Sequence, residues 1–146
     1  MGGLACIMPK SIRKKTRLIP CNSWRLQAVL FQCGNQQLLI INSYFPVDPK
    51  SVSECSEDLV QTISEVQQIL ETVPFNTLFL CGDLNTDFLR KTAHVDAVRQ
   101  FLLRCNLVTL WDSYYADFTY THETCGEVTH HKIDHFLTQH KSLDSF

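Results

Sequence analysis

Two apolar stretches between residues 24 and 45, with turn chemistry between them, restrict the fold more than any other feature. W-R-L-Q-A-V-L-F alternates, placing Trp24, Leu26, Ala28 and Leu30 on one side in the period-two pattern of a half-buried strand. Q-C-G-N-Q supplies a turn through Gly34 and Asn35, and Q-L-L-I-I-N-S-Y-F returns as a more thoroughly apolar strand. The expected product is an antiparallel pair ending at Tyr44 and Pro46.

Helical periodicity follows. Asp48-Pro49-Lys50-Ser51 reads as a helix opening, with Ser51 and Glu54 in the S-x-x-E relation of a capping box. Leu59, Ile63, Val66 and Leu70 recur at helical spacing, Glu57, Asp58, Gln61 and Gln68 fall elsewhere on the surface, and Pro74 closes the unit. N-T-L-F-L-C, residues 76 to 81, reads as a short buried strand. A second amphipathic helix carries Val95, Val98, Leu102 and Cys105, with Asn106 suited to its C-terminal cap. Phe118 to His122 and Lys132 to Thr138 read as two further strands, and G-G-L-A-C-I-M at the start as another. This order describes a mixed α/β layered domain with helices covering sheets. Residues 1–146 read as one domain, with no repeat, low-complexity tract or linker.

The bulk numbers fit that size of core. The 146 residues are 45% hydrophobic and 19% charged, with a net charge of -2, so no global positive field marks a polyanionic partner. The best local candidate for phosphate contact is Ile12-Arg13-Lys14-Lys15-Thr16-Arg17, although so short a run more often forms a solvated loop. Seven cysteines, none in a C-x-x-C pair, argue against a disulfide framework and for a reducing compartment, nucleus or cytoplasm. Cys6, Cys33, Cys81 and Cys105 lie in apolar or strand-like stretches and read as small hydrophobes. No signal peptide is expected from M-G-G-L-A-C-I-M-P-K, and no window approaches the ~20 apolar residues of a membrane span, so a soluble chain is expected.

Three short patterns can carry chemistry. In F-L-C-G-D-L-N-T-D-F, residues 79 to 88, an apolar strand gives way to Asp83, Asn85 and Asp87. If the segment stays extended, Asp83 and Asn85 point the same way. A carboxylate can accept a proton from water or coordinate Mg²⁺, and an amide can hydrogen-bond a phosphate oxygen while staying neutral. The same residue types make ordinary turns. A calcium loop is excluded because Phe88 stands where it needs Gly and His94 where it needs Glu. In I-N-S-Y-F-P, Tyr44 ends a strand, where its hydroxyl can meet a phosphate or simply stay wet at a sheet rim. In H-K-I-D-H-F-L, Asp134 sits in an otherwise apolar strand and needs a partner, for which an imidazole is one natural choice. His122, Cys125, Glu127, His130, His131 and His135 crowd one region, but their spacing matches no standard zinc pattern.

Taken in order, Y-F-P, then G-D-L-N-T-D, then K-I-D-H-F-L resemble the endonuclease/exonuclease/phosphatase superfamily, most of all the endonuclease domains of non-LTR retrotransposons. G-G-L-A-C-I resembles the G-G-x-A-I strand of that group. The resemblance covers nearly the whole chain and implies a four-layer α/β sandwich, two mostly antiparallel sheets face to face with helices outside. It implies Mg²⁺-dependent (or Mn²⁺-dependent) hydrolysis of a DNA phosphodiester. Asp83 would orient or deprotonate the attacking water, and Asn85 would hold that water and a phosphate oxygen. Tyr44 would hydrogen-bond the scissile phosphate, and Asp134 would pair with a catalytic histidine. Asp83 and Asn85 are the metal contacts the chain retains.

The departures are as specific. The family places an Asn and a metal-binding Glu before the G-G-x-A-I strand and a histidine in an S-D-H motif after the I-D strand. This chain has no counterpart for them between Met1 and Phe146, and His131 stands where retroelement domains have Ser. The domain is therefore expected to be partial, truncated at both ends, and inactive as it stands. Losing a general base alone costs about 10²–10⁴-fold in rate. The other readings are an inositol or lipid phosphatase of the same superfamily and a non-enzymatic retroelement remnant.

Overall fold

The computed structural model describes residues 3–49, 55–110, 120–124 and 127–139. Leu26–Cys33 (β2) and Gln36–Tyr44 (β3) form the antiparallel pair that the alternation implies, from Leu26 opposite Ser43 to Cys33 opposite Gln36. Two residues join them, with Gly34 at φ +58° and Asn35 at an ordinary φ. That is the glycine-first hairpin loop whose twist matches the flanking strands. Thr16–Ile19 (β1) pairs antiparallel to β2, after a single helical turn at Lys10–Arg13 (α1). The basic run is thus part helix and part edge strand. Gly3–Pro9 form no strand, contrary to the pattern of G-G-L-A-C-I-M. Trp24 precedes β2 and is 53% exposed, so the buried alternation begins only at Leu26.

Thr77–Asp83 (β4) lies parallel to β3, and a parallel pair needs a connection that crosses the sheet. Glu57–Thr72 (α2) provides it. This helix starts later than Ser51 and Glu54 suggest, and those two residues lie outside the described ones. Its N-cap is Ser56, whose Oγ accepts from the Leu59 N–H at 3.3 Å. Ala93–Arg104 (α3) is capped by Thr92 in the same way, and Asn106 follows it at φ +52°. Leu107–Thr109 (β5) and Asp134–Gln139 (β8) complete a six-stranded sheet in the order β1-β2-β3-β4-β8-β5. Tyr120–Thr124 (β6) and Glu127–His131 (β7) form a separate hairpin.

One face of the sheet holds the core. Ala28, Ile41, Leu80 and Leu137 lie in register across β2, β3, β4 and β8, with Leu30, Leu39 and Leu78 in the next row. Leu59, Val66 and Ile69 of α2 and Val98 and Phe101 of α3 pack onto them. The opposite face is also largely apolar and mostly half-buried, with Val29 fully buried. Val29, Ile40 and Phe79 share one row, Phe31 and Leu38 another, and Phe136 is 47% exposed beside Cys81. Cys6 and Cys33 are exposed rather than packed, and every cysteine among the described residues is a free thiol.

Candidate functional site at the ends of the parallel strands

The site is built by register. Tyr44 lies opposite Asp83 across the parallel β3–β4 pair, and Asp83 lies opposite Asp134 across the antiparallel β4–β8 pair. Directly paired residues project from the same face. Tyr44, Asp83 and Asp134 thus form one row over three neighbouring strands, at the carboxyl ends of β3 and β4, where open α/β sheets bind ligands. Asp83 belongs to the strand instead of the loop beyond it, and Asp134 opens β8 instead of sitting in its middle. Backbone bonds continue the ladder past these residues, Phe45 N–H to Asp83 O at 2.8 Å and Leu84 N–H to Ile133 O at 2.9 Å.

Asn85 reaches the row by a different route from the expected alternation. Its φ of +47° takes the chain out of the strand, and its N–H donates to Asp83 Oδ1 at 2.8 Å. This is a turn closed by the aspartate's own side chain. The Asn85 amide donates through Nδ2 to the Phe45 carbonyl at 2.8 Å, which ties the loop after β4 to the end of β3. Asp87 is a turn residue, with Oδ1 accepting from Leu89 N–H at 3.0 Å and Arg90 3.7 Å away. Gly82 makes the close approach possible. Its φ is +130°, and a Cβ there would overlap the Ser43 carbonyl oxygen and lie 3.0 Å from Asn42 Oδ1.

Burial raises the Asp83 pKa above the ordinary carboxylate value. The Asn85 N–H opposes that shift, while the nearby charge of Asp134 adds to it. Two facing carboxylates favour a proton or a cation between them. Mg²⁺ commonly takes one or two protein carboxylates and completes its shell with water and phosphate oxygens. Asp83 and Asp134 fit such a partial donor set, although no cluster of three or more His, Cys, Asp or Glu suited to a metal occurs among the described residues.

Sequence patterns gave no sign of the supports beneath and beside the row. Thr86 Oγ1 donates to Leu84 O at 2.6 Å and meets His94 Nε2 at 2.9 Å, while His135 Nε2 lies 2.9 Å from Thr86 O. Both imidazoles are 2% exposed, and they fasten the loop from the helix side. His135 therefore faces away from Asp134, as strand alternation requires, and neither it nor His94 is the imidazole partner sought for Asp134. Of the crowded set His122, Cys125, Glu127, His130, His131 and His135, the side chain of His135 alone lies among the described residues. At the other end of the row, the Arg25 guanidinium stacks 4.4 Å from the Trp24 ring and 5.5 Å from the Tyr44 ring. It also pairs with Asp58 at 3.5 Å.

Six strands in this order, with helices on one face, form a fold shared with solved endonuclease/exonuclease/phosphatase-type structures. Among solved structures, the endonuclease domain of TRAS1, a telomere-specific non-LTR retrotransposon, matches with a TM-score of 0.68 and 13% identity over 88% of this chain. TDP2 from D. rerio, solved with a single-strand DNA product, matches at 0.58 and 14% over 87%. A family protein from Leptotrichia buccalis matches at 0.54 and 17% over 80%. The chain spans 58%, 54% and 42% of these three structures respectively. No protein-family model and no curated protein matches the sequence. No helix among the described residues is long and apolar enough to cross a membrane.

Proposed function

We propose that the chain forms the central part of a metal-dependent phosphodiesterase domain of the retrotransposon endonuclease type, acting on DNA inside the cell. The observation that carries this reading is the single row of Tyr44, Asp83 and Asp134, with Asn85 folded back onto it. In that row the Tyr44 hydroxyl donates to a phosphate oxygen. Asp83 offers Oδ2 to a water, because Oδ1 already accepts from Asn85. Its raised pKa makes it a stronger base than an exposed carboxylate. Asn85 retains a second amide N–H for a phosphate oxygen or that water. A divalent ion held by Asp83 and Asp134, with Asn85 beside them, would neutralise charge developing on the phosphate.

The half-buried second face supports the finer architecture. Phe31, Leu38, Ile40 and Phe79 suit burial against another sheet, giving the four-layer sandwich. Catalysis by the 146-residue chain alone is expected to be slow or nil. His94 and His135 both face the helices, so neither can assist at the row.

Mn²⁺ titration followed by NMR tests the site without requiring turnover. The paramagnetic ion should selectively broaden the amide signals of Tyr44, Asp83, Asn85 and Asp134, and Asp83→Asn should abolish the effect. Broadening elsewhere that spares this row would refute the reading. Plasmid nicking that requires Mg²⁺ and disappears in Asp83→Ala would uphold the site while overturning the expected inactivity.

A further inference from the structure

Charge along this chain is segregated in a way its small net value hides. Residues 1–47 contain Lys10, Arg13, Lys14, Lys15, Arg17 and Arg25 and no carboxylate, whereas positions 48–146 hold seven cations against fifteen carboxylates. Arg25 pairs with Asp58, but Lys10, Arg13, Lys14, Lys15 and Arg17 have no ion-pair partner among the described residues. Lys10 and Arg13 lie on α1, Lys14 and Lys15 in the turn after it, and Arg17 on the edge strand β1.

Three of them border a groove. Lys14, Lys15 and Arg17 line an open depression of about 490 Å³, with Leu30, Gln32 and Gln37 beneath it and no carboxylate in its lining. Arg17 pairs with Leu30 in register, and Gln32 with Gln37, so the floor belongs to the β2–β3 hairpin end. The floor is braced: Gln37 Nε2 donates to Gln32 Oε1 at 3.1 Å, and Gln32 Nε2 donates to the Gly34 carbonyl. Lys15 ends the turn after α1, where its N–H donates to the Ile12 carbonyl at 2.8 Å, and Arg17 follows two residues on in β1. A nucleic-acid strand carries one charge per roughly 3.4 Å of duplex axis, so cations clustered at one groove can meet several phosphates at once. The groove lies at the far end of β3 from Tyr44, about 23 Å away at strand rise.

We propose that this groove binds the phosphodiester backbone of DNA, without base specificity and separately from the Asp83 row. The choice of polyanion rests on the phosphodiesterase reading of that row, while the groove itself rests on its own residues. Concave shape and an amide floor favour a backbone strand over a flat anionic membrane. Lysines and an arginine with no competing carboxylate supply the sequence-independent attraction that counterion release drives.

The test measures anisotropy of a labelled 20-base-pair duplex against the full chain across a range of NaCl concentrations. Lys15→Glu/Arg17→Glu should weaken binding at least tenfold and reduce the salt slope by about 2. The equally charged control Lys91→Glu/Arg104→Glu should stay within about twofold of the parent. Lys15→Gln/Arg17→Gln covers the case in which charge reversal unfolds the edge strand, and should show the same loss of slope. Equal loss in the control, unchanged binding in the groove variants, or binding only to vesicles containing phosphatidylserine would overturn the proposal. Loss confined to Asp83→Asn would assign DNA binding to the row alone and also overturn it. The Mn²⁺ titration reads no DNA, so either proposal can fail without the other.

Discussion

Replacing Gly82 with alanine tests the packing that brings the row together. Gly82 pairs with Ser43 and is followed by the Asp83–Tyr44 pair, so its backbone lies against β3 one residue before the row. A Cβ there meets the Ser43 carbonyl oxygen well inside contact distance, and the φ of +130° is one that L residues rarely adopt. Backbone strain alone costs about 1–3 kcal/mol. Moving β3 away from β4 loosens two or three ladder bonds, each contributing about 0.5–1.5 kcal/mol. Together these amount to roughly 2–7 kcal/mol, a large share of the ~5–15 kcal/mol that holds a typical domain together. For a chain of this size the melting temperature should fall by on the order of 10–20 °C. Gly34→Ala is the control, because it has a positive φ but no atom within 4 Å of the added carbon. It should cost only about 1 kcal/mol. Thermal and urea unfolding followed by circular dichroism read both variants. If Gly82→Ala melts within about 3 °C of the parent, or loses no more than Gly34→Ala, the clash argument is wrong.

Asp83→Asn should raise stability at pH 7. A carboxyl whose folded pKa is raised favours folding while protonated and loses that contribution as pH rises through the folded value. The gain should vanish below about pH 4, and an unchanged or lower midpoint at pH 7 would contradict it. His94 and His135 have the opposite sense. Burial lowers both pKa values, although the backbone of Thr86 and Lys132 pulls His135 the other way. Stability should be complete above about pH 6.5 and fall in more acidic buffer, because the unfolded chain takes up protons that the buried rings resist. A urea midpoint flat between pH 7 and pH 5 would count against that burial. Glu65, 8% exposed, accepts the backbone N–H groups of Asn22 and Ser23 in the connection between β1 and β2. Glu65→Ala should cost about 1–3 kcal/mol in urea unfolding, and Glu65→Gln, which keeps an acceptor oxygen, should cost less.

The parts of this molecule legible in sequence are those with long or periodic patterns. The hairpin of β2 and β3 announces itself through alternation and Gly34, and α2 and α3 through apolar residues at helical spacing. The elements that escaped are short. α1, β1 and β5 have four, four and three residues, too few to complete a period against their neighbours. α2 begins at Glu57 with Ser56 as its N-cap, a residue type as suited to capping as the Ser51 that the S-x-x-E pattern favours.

By itself, the sequence determined the residue types of the candidate site, because Tyr44, Asp83, Asn85 and Asp134 stand in short motifs whose order carries the resemblance. Their meeting was decided by tertiary structure. Strand register is a long-range property, and only the pairing of β3 with β4 and β4 with β8 puts residues 44, 83 and 134 in one row. The same pairing requires glycine at position 82 and turns His135 inward to bond the loop that carries Asn85. It also gathers Lys14, Lys15 and Arg17 over the far end of the hairpin, where a string of cations becomes a groove because the chain folds back beneath it.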